Sequence, residues 1–493
     1  MYIRAPSDFL FWPNGILWMK NVEVVDTLGE ATSLFPLENG EKRQFHAASN
    51  ADTVIHSFGC NRRDLLRTAT FATVAAPFAS LLRLLPTDRV FQEPAAVPFA
   101  GTDDALLDDI ERAAFDFFWN EAGASTGQVK DRALLNGNDK HTIASIAATG
   151  FGLSALCIGE ARGYGKKEEI VERVRTTLRF LWQKLPHEHG FYYHFIDVNS
   201  GERQWKCEIS SIDTSLLLCG ILNARQHFSD PETQDLATKI YERVDWPWML
   251  NGGNTFSMGW HPESGFLDAR WSHYCELMMI YLLALGSPTH PVPADTWKAW
   301  SRPTVKFEGT EYISGDDPLF THQYSQAWFD FRNKRDAYAD YFENSTKATK
   351  AHKQFCLSLR GEFPDYSDHL WGITASDSAA GYQAWGGPPR IGKLDGTIVP
   401  CAPGGSLPFL YPDCMQVLRT IRERYPKAWG RYGLVDAFNP LTNWYNSDVL
   451  GIDLGITMVM AENQRTGLIW KTFMKNKEAQ RGMERAGFQT QHA

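Results

Sequence analysis

From Asp103 onward, two kinds of helical segment alternate, and this alternation limits the possible folds more than any other feature of the chain. The first kind is apolar almost all round, as in Ile143 to Glu160, where small residues interleave with Phe, Leu and Ile. A helix of that kind must be buried on every side. The second kind is amphipathic: Asp103 to Glu121 sets Leu106, Ile110, Ala113, Ala114 and Phe117 on one face behind an acidic first turn, and Lys167 to Leu185 turns its charges outward. The pattern continues with expected helices over Ser211 to His227, Glu232 to Leu250, Trp271 to Leu285, Gln323 to Asn333, Ala337 to Leu359, Pro412 to Glu423 and Ile452 to Trp470, and a polar tail helix to about Glu484. A buried helix paired repeatedly with an amphipathic one predicts two concentric layers. With no fixed short period to suggest a solenoid, the expected fold is all-α, a closed (α/α)6 barrel of about twelve helices in one domain over residues 101–493. Strand-like alternation is confined to short pieces such as Phe191 to Val198. In such a barrel the loops at one end converge on a central pocket.

Composition excludes several alternatives. The net charge of −9 comes with no basic run or basic–aromatic patch, so nucleic acid is not an expected partner. The eight cysteines form no CxxC and no Cys/His zinc spacing, and Cys157, Cys219, Cys275 and Cys356 fall in apolar helical runs where they read as small buried hydrophobes. His187-Glu188-His189 is too short a group, on a Pro/Gly-flanked loop, to argue for a metal. No cofactor is expected.

The first hundred residues read as an address. Asn61-Arg62-Arg63-Asp64-Leu65-Leu66-Arg67 precedes a small and apolar run from Thr68 to Leu84, the arrangement of a twin-arginine (Tat) export signal. The run is too short and polar for a spanning helix, so no stable membrane anchor is expected. Residues 54–100 are therefore expected to be signal and linker, with cleavage between Ala76 and Ala100, and residues 1–53 a mistranslated or disordered extension upstream of a start near Val54. The implied location is the periplasm or the exterior, reached through the Tat machinery. Tat cargo folds before export, so the cysteines need not pair.

The chemistry concentrates in loops and helix starts. Trp205-Lys206-Cys207-Glu208-Ile209-Ser210-Ser211-Ile212-Asp213-Thr214 sets an indole, two carboxylates and hydroxyls at the start of an apolar helix, with Ser210 or Ser211 as its cap. Carboxylates can move the protons of glycosidic cleavage, and an indole offers a flat face to a pyranose ring. The same texture recurs around Asp131 and Asp139, at Tyr193, at Trp260, His261 and Glu263, at Glu276, at His322 and Tyr324, at Trp371 and Asp377, and at Leu394-Asp395-Gly396-Thr397. A common ring-shaped, polyhydroxylated ligand accounts for so many such loops, and these residues are the candidate substrate-binding set. Other segments read as structure: Ser287-Pro288-Thr289-His290-Pro291 as a helix-ending turn, Trp246-Pro247-Trp248 as packing, Asp316-Asp317-Pro318 as a turn, and Arg465 as the partner of an acidic core residue.

Ordered landmarks add a resemblance. They are Ser145-Ile146-Ala147-Ala148-Thr149-Gly150-Phe151-Gly152, Glu208 to Thr214, Trp260-His261-Pro262-Glu263-Ser264-Gly265, Ala284 to His290, Gln323 to Trp328, Asp340 to Ser345, Trp371 to Asp377, Asp395 to Pro400, and Glu462 to Gly467. In this order they resemble the bacterial glucoamylase-like domain grouped with endo-β-1,2-glucanases, glycoside hydrolase family 144, over about Asp103 to Trp470. The resemblance implies an (α/α)6 barrel, metal-free hydrolysis of β-1,2-linked glucan, Glu208 as general acid, Asp395 as base, and Asp131 and Asp139 along the cleft. Asp377, Asp448 and Asp453 are rival positions for the base. Cys401 after Val399-Pro400 and His141 in place of an Asn-rich wall depart from the pattern, which touches subsite preference and no carboxylate.

The residue chemistry gives matching roles. Glu208, beside Trp205 and an apolar helix start, is expected to be desolvated with a raised pKa, as suits an acid. Asp395, on an open loop, is expected to stay ionised. Inversion would set the two carboxyls roughly 6.5–9.5 Å apart and retention nearer 5 Å. Action on another glucan linkage, transglycosylation, and a non-catalytic glycan-binding barrel are the competing readings.

Overall fold

The computed structural model describes residues 9–11, 17–19, 99–315 and 318–491. The expected export signal, the cleavage region and the Asp316-Asp317 pair lie outside them; of the upstream extension, only Phe9–Phe11 and Leu17–Met19 are described, as an antiparallel pair. The remaining chain carries helices α1 (Asp103–Asn120), α2 (Ile146–Arg162), α3 (Lys167–Gln183), α4 (Ser211–His227), α5 (Pro231–Glu242), α6 (Trp246–Leu250), α7 (Met278–Gly286), α8 (Tyr324–Trp328), α9 (Tyr341–Ser358), α10 (Cys401–Gly404), α11 (Tyr411–Arg424), α12 (Gly451–Arg465), α13 (Leu468–Phe473) and α14 (Lys477–Arg485).

Helices α2, α4, α7, α8, α10 and α12 bury nearly all their residues and form the inner ring. Helices α1, α3, α5, α9 and α11 present one apolar face inward and make the outer layer, with α14 laid against α7. This is the expected (α/α)6 barrel. Among the described residues, no helix is long and apolar enough to cross a membrane.

Boundaries shifted where a local interaction outweighed the apolar pattern. Ile143–Ser145 is a strand paired with Phe195–Asp197, and the Ser145 hydroxyl caps α2. The expected helix from Glu232 to Leu250 divides because Asp245 caps a new short helix with a proline in its first turn. The one from Ile452 to Trp470 divides at Gly467, whose φ of +69° an L side chain rarely adopts. The expected helices starting at Trp271 and Gln323 are much shorter, at Met278–Gly286 and Tyr324–Trp328. Asn344 is a bridge, donating to Ile313 O and accepting from Ile313 N. Arg465 pairs with the buried Glu111 and the exposed Asp104, and Ser287 accepts the His290 amide in a tight turn. Cys157, Cys219, Cys275 and Cys356 are buried.

Short antiparallel pairs clamp the starts of the inner helices. Ile209–Ser210, immediately before α4, pairs with Gly259–His261, and Asp448–Leu450, immediately before α12, pairs with Arg132–Leu134. These strands fix the backbone at the helix N-termini, where the polar residues of the cleft lie.

The inner ring tolerates no added volume where α2 and α4 cross. A Cβ at Gly220 would stand 2.0 Å from the Gly150 carbonyl oxygen, and one at Gly150 would stand 2.4 Å from the Leu216 carbonyl oxygen. Backbone is on both sides, so only helix separation relieves the clash. Gly220→Ala is expected to cost about 1–3 kcal/mol or more, seen as a clear fall in thermal midpoint; an unchanged midpoint would show that the helices part freely.

Candidate active site

Five of the inner helices bring ionisable or hydroxyl groups to one end of the barrel. Glu208 precedes the Ile209–Ser210 strand that leads into α4, and Asp213 lies in the first turn of that helix; Glu276 precedes α7, Tyr324 begins α8, Cys401 begins α10, and Asp448 and Asp453 flank the start of α12. These groups face one another: Glu276 feels Asp213, Tyr324 feels Asp453 and Glu276, and Asp131 feels both His194 and Asp453. Helix N-termini favour anions through their exposed N–H groups, which eases the burial of so many carboxylates.

Glu208, 3% exposed, anchors the first cluster. Its Oε1 accepts from His194 Nδ1 at 3.0 Å, while Oε2 has no hydrogen-bond partner among the described residues. His194 Nε2 stands 3.5 Å from Asp213 Oδ1, and Asp213 Oδ2 accepts from Ser210 Oγ at 2.5 Å. Ser210, one of the two expected caps, accepts the Asp213 amide. Burial opposes the charge on His194, but Asp213 and Glu208, with Asp131 behind them, push its pKa up to about 9. The expectation of a raised Glu208 pKa fails for the same reason. Burial does raise it, but the charge and hydrogen bond of His194 outweigh burial and leave the carboxyl below its usual value. Burial instead raises Asp213. His194, Glu208 and Asp213 offer ligand-type atoms within 4.8 Å of one another, so this set could hold a metal ion; the imidazolium already supplies the cation between the two carboxylates.

The second cluster surrounds Arg132. Its Nη1 donates to Asp377 Oδ2 at 2.8 Å, its Nε donates to Asp131 Oδ2 at 3.2 Å, and Asp448 lies 3.8 Å away. Asn446 Nδ2 donates to both Asp377 and Asp436, and the Asp377 amide donates to Asp436 Oδ2. Burial and the neighbouring Asp453 push Asp436 far above the carboxyl range, which favours its protonated form, and Asp453 is itself raised by burial and by Asp377 and Asp131.

Trp205 projects its indole, 46% exposed, beside Glu208, edge-on to Phe195 at 5.1 Å. Both Trp205 and Lys206 have left-handed backbones, at φ +51° and +52°. Such strain costs on the order of 1–3 kcal/mol per residue and is held by Arg203, which donates to the Lys206 and Cys207 carbonyls, pairs with Glu263 at 2.6 Å, and lies 4.9 Å over the Tyr193 ring. His261 stands 3.2 Å from the same guanidinium and faces Glu208, and Trp260 is half-buried against Trp248.

Several expected ligand-facing residues sit elsewhere. Asp139 uses both carboxylate oxygens on Lys130, His141 and the Leu134 amide, so it ties its own loop instead of offering a free carboxylate to the cleft. Trp371 is wholly buried and cannot stack on a sugar. His322 is buried against Tyr274, and burial drops its pKa to about 3, which makes it a core residue. Asp395 is half-buried; its Oδ1 accepts the Thr397 amide at 2.9 Å and its carbonyl accepts from Asn439. Among the described residues its hydrogen bonds tie it to neither cluster. His194, Arg132, Arg203 and Asp436 were not singled out in the sequence. Arg132 and His194 are adjacent to the chosen Asp131 and Tyr193, and Arg203 is two residues from Trp205, but Asp436 sits in an apolar Val-Asp-Ala context that carries no signal.

An (α/α)6 toroid with carboxylates and an exposed indole gathered at the inner-helix N-termini defines the class, a glucoamylase-like barrel. Residues 268–477 match the profile of a family described as putative glucoamylase. A putative glucoamylase from Bacteroides fragilis is 31% identical, with a TM-score of 0.74 over 81% of this chain and 100% of that one. The chain belongs to this family. An endo-β-1,2-glucanase from Chitinophaga pinensis, solved with sophorotriose and glucose, is 29% identical, with a TM-score of 0.75 over 79% of this chain and 99% of that one. An exo β-1,2-glucooligosaccharide sophorohydrolase acting at the non-reducing end, from Parabacteroides distasonis, is 28% identical over 434 residues, 80% of this chain and 59% of the relative. The chain therefore spans less than two thirds of that relative's length.

Glu276 offers a test of the electrostatics. Burial, with Asp213 adding to it, pushes its pKa up to about 7, and its Oε2 has no partner among the described residues. A folded-state pKa above the unfolded one gives stability that is complete below about pH 4.5 and lost as pH rises through about 7. Glu276→Gln should flatten that loss and raise the thermal midpoint at pH 8, by up to about 3 kcal/mol in stability. Parallel stability–pH curves for the two proteins would contradict the assignment.

Proposed function

We propose that this protein is a glycoside hydrolase that cleaves β-1,2-linked glucan within the chain, with inversion at the anomeric carbon. One observation carries the reading: Glu208 holds an unpartnered, buried carboxyl oxygen at the start of an inner helix, in a barrel similar over its full length to an endo-β-1,2-glucanase. The near-complete coverage of that enzyme, against 59% of the exo-acting sophorohydrolase, supports endo action.

In this mechanism Glu208, protonated only at acidic pH because His194 holds its carboxyl below the usual value, gives the Oε2 proton to the glycosidic oxygen as the C1–O bond breaks. A second carboxylate takes a proton from the water that attacks C1 from the opposite face. Asp395 fills that second role in the proposal. Asp453 is the alternative base, favoured by its burial, its unpartnered Oδ2 and the neighbouring Asp436, whose neutral form burial favours. Trp205 supplies the stacking face, and Asp131, Asp213, Tyr193, Trp260, His261, Asp377 and Tyr324 line the ends of the cleft. The twin arginines Arg62-Arg63 support export by the Tat route to the periplasm or beyond.

Purified protein incubated with linear β-1,2-glucan should release short β-1,2-oligosaccharides whose new reducing ends appear first as the α-anomer. Cleavage of a different glucan alone would discard the substrate and keep the carboxylates, and cleavage of none would favour a glycan-binding barrel. Glu208→Gln should lower kcat at least ~10³-fold while sparing the fold and glucan binding. Asp395→Asn and Asp453→Asn separate the two candidate bases, since only the true base should match that loss.

A further inference from the structure

The two oxygens of Glu208 are unequal, and His194 makes them so. Oε1 accepts from Nδ1 at 3.0 Å, and Oε2 is buried without a partner. The ring cannot turn away easily. It stacks on Phe195 with centroids 3.8 Å apart and planes at 16°, and its Nε2 stands 3.5 Å from Asp213 Oδ1. The main chain repeats the link, because the His194 amide donates to the Glu208 carbonyl at 3.0 Å and the His194 carbonyl accepts from Ile146. Nδ1 is hydrogen-bonded to Glu208 and Nε2 faces the Asp213 carboxyl, and these two neighbours favour the imidazolium form of the ring. A carboxyl group whose Oε1 always accepts a charged N–H can carry its own proton only on Oε2.

We propose that His194 is a positioning residue that fixes the acidic proton of Glu208 on Oε2 by occupying Oε1 with its Nδ1–H. The proposal rests on Glu208 being the proton donor. In the cleavage step the Oε2 proton passes to the glycosidic oxygen as the C1–O bond breaks. The carboxylate left behind is stabilised by the Nδ1 proton, which stays on His194. The groups facing this pair are known on every side. Glu208, Asp213 and Asp131 face His194, while His261 and Cys207 also face Glu208. The positive charge of His194 thus opposes the desolvation that would otherwise hold the Glu208 proton tightly.

The test compares the full-length chain with His194→Asn, which offers an N–H near the place of Nδ1 without its charge. The side-chain carboxyl of Glu208, labelled with carbon-13 and assigned with Glu208→Gln, is titrated by NMR. The Glu208 midpoint should lie below ordinary glutamate values in the native protein and rise by about one pH unit or more in the variant. The alkaline limb of kcat/KM on β-1,2-glucan should move up with it. His194→Phe, which keeps the stack on Phe195 and removes the donor as well, should raise the midpoint at least as far. Variants that lose thermal stability while the midpoint stays in place would mark His194 as purely structural and overturn the proposal. The titration needs no substrate, so a protein that shows the shift yet cleaves no glucan would overturn the hydrolase reading, and with it the proton-donor role, while keeping the His194–Glu208 coupling.

Discussion

Burying carboxylates is the constraint around which this barrel is organised. Glu208, Asp213, Glu276, Asp436 and Asp453 are all removed from water, at a cost that would be prohibitive for isolated anions. Several devices share that cost. Most of these groups lie at or beside the N-terminus of an inner helix, Arg132 and His194 place one cation in each cluster, and burial favours the neutral form of Asp436.

The clusters differ in ways that suit different tasks. Around Glu208 a histidine lies between two carboxylates, which leaves one oxygen of Glu208 buried without a partner. Around Arg132 the carboxylates are tied together through a guanidinium, an asparagine amide and the Asp377 main-chain amide, which stiffens that wall. The strained Trp205-Lys206 turn, pinned by Arg203 and Glu263, holds an indole in solvent beside the acid at an energetic cost that packing alone does not require.

Much of this was legible in the sequence, and the gaps have physical causes. The layering showed because apolar-all-round and amphipathic helices have different periodicities, and α4 with its cap was readable residue by residue from Ser210 to His227. Helix ends were misjudged where Asp245, Ser145 or Gly467 imposed a cap or a left-handed residue on an apolar run. Glu208 was visible from its neighbours, but its ionisation was not, since His194 lies 14 residues away and meets it only through strand pairing. Trp371 and His322 sat in the same aromatic and hydroxyl-rich texture as the cleft residues, yet that texture serves the core equally well. Only the fold separates the two uses.

The central claim is that the free oxygen of Glu208 meets a glycosidic bond. A crystal structure of Glu208→Gln bound to a β-1,2-linked glucooligosaccharide tests it most directly. The account predicts an inter-sugar oxygen within roughly 3 Å of the residue 208 side chain, on the side away from His194, with a pyranose ring against Trp205. A saccharide bound across the barrel end with residue 208 still sealed behind His194 would contradict it.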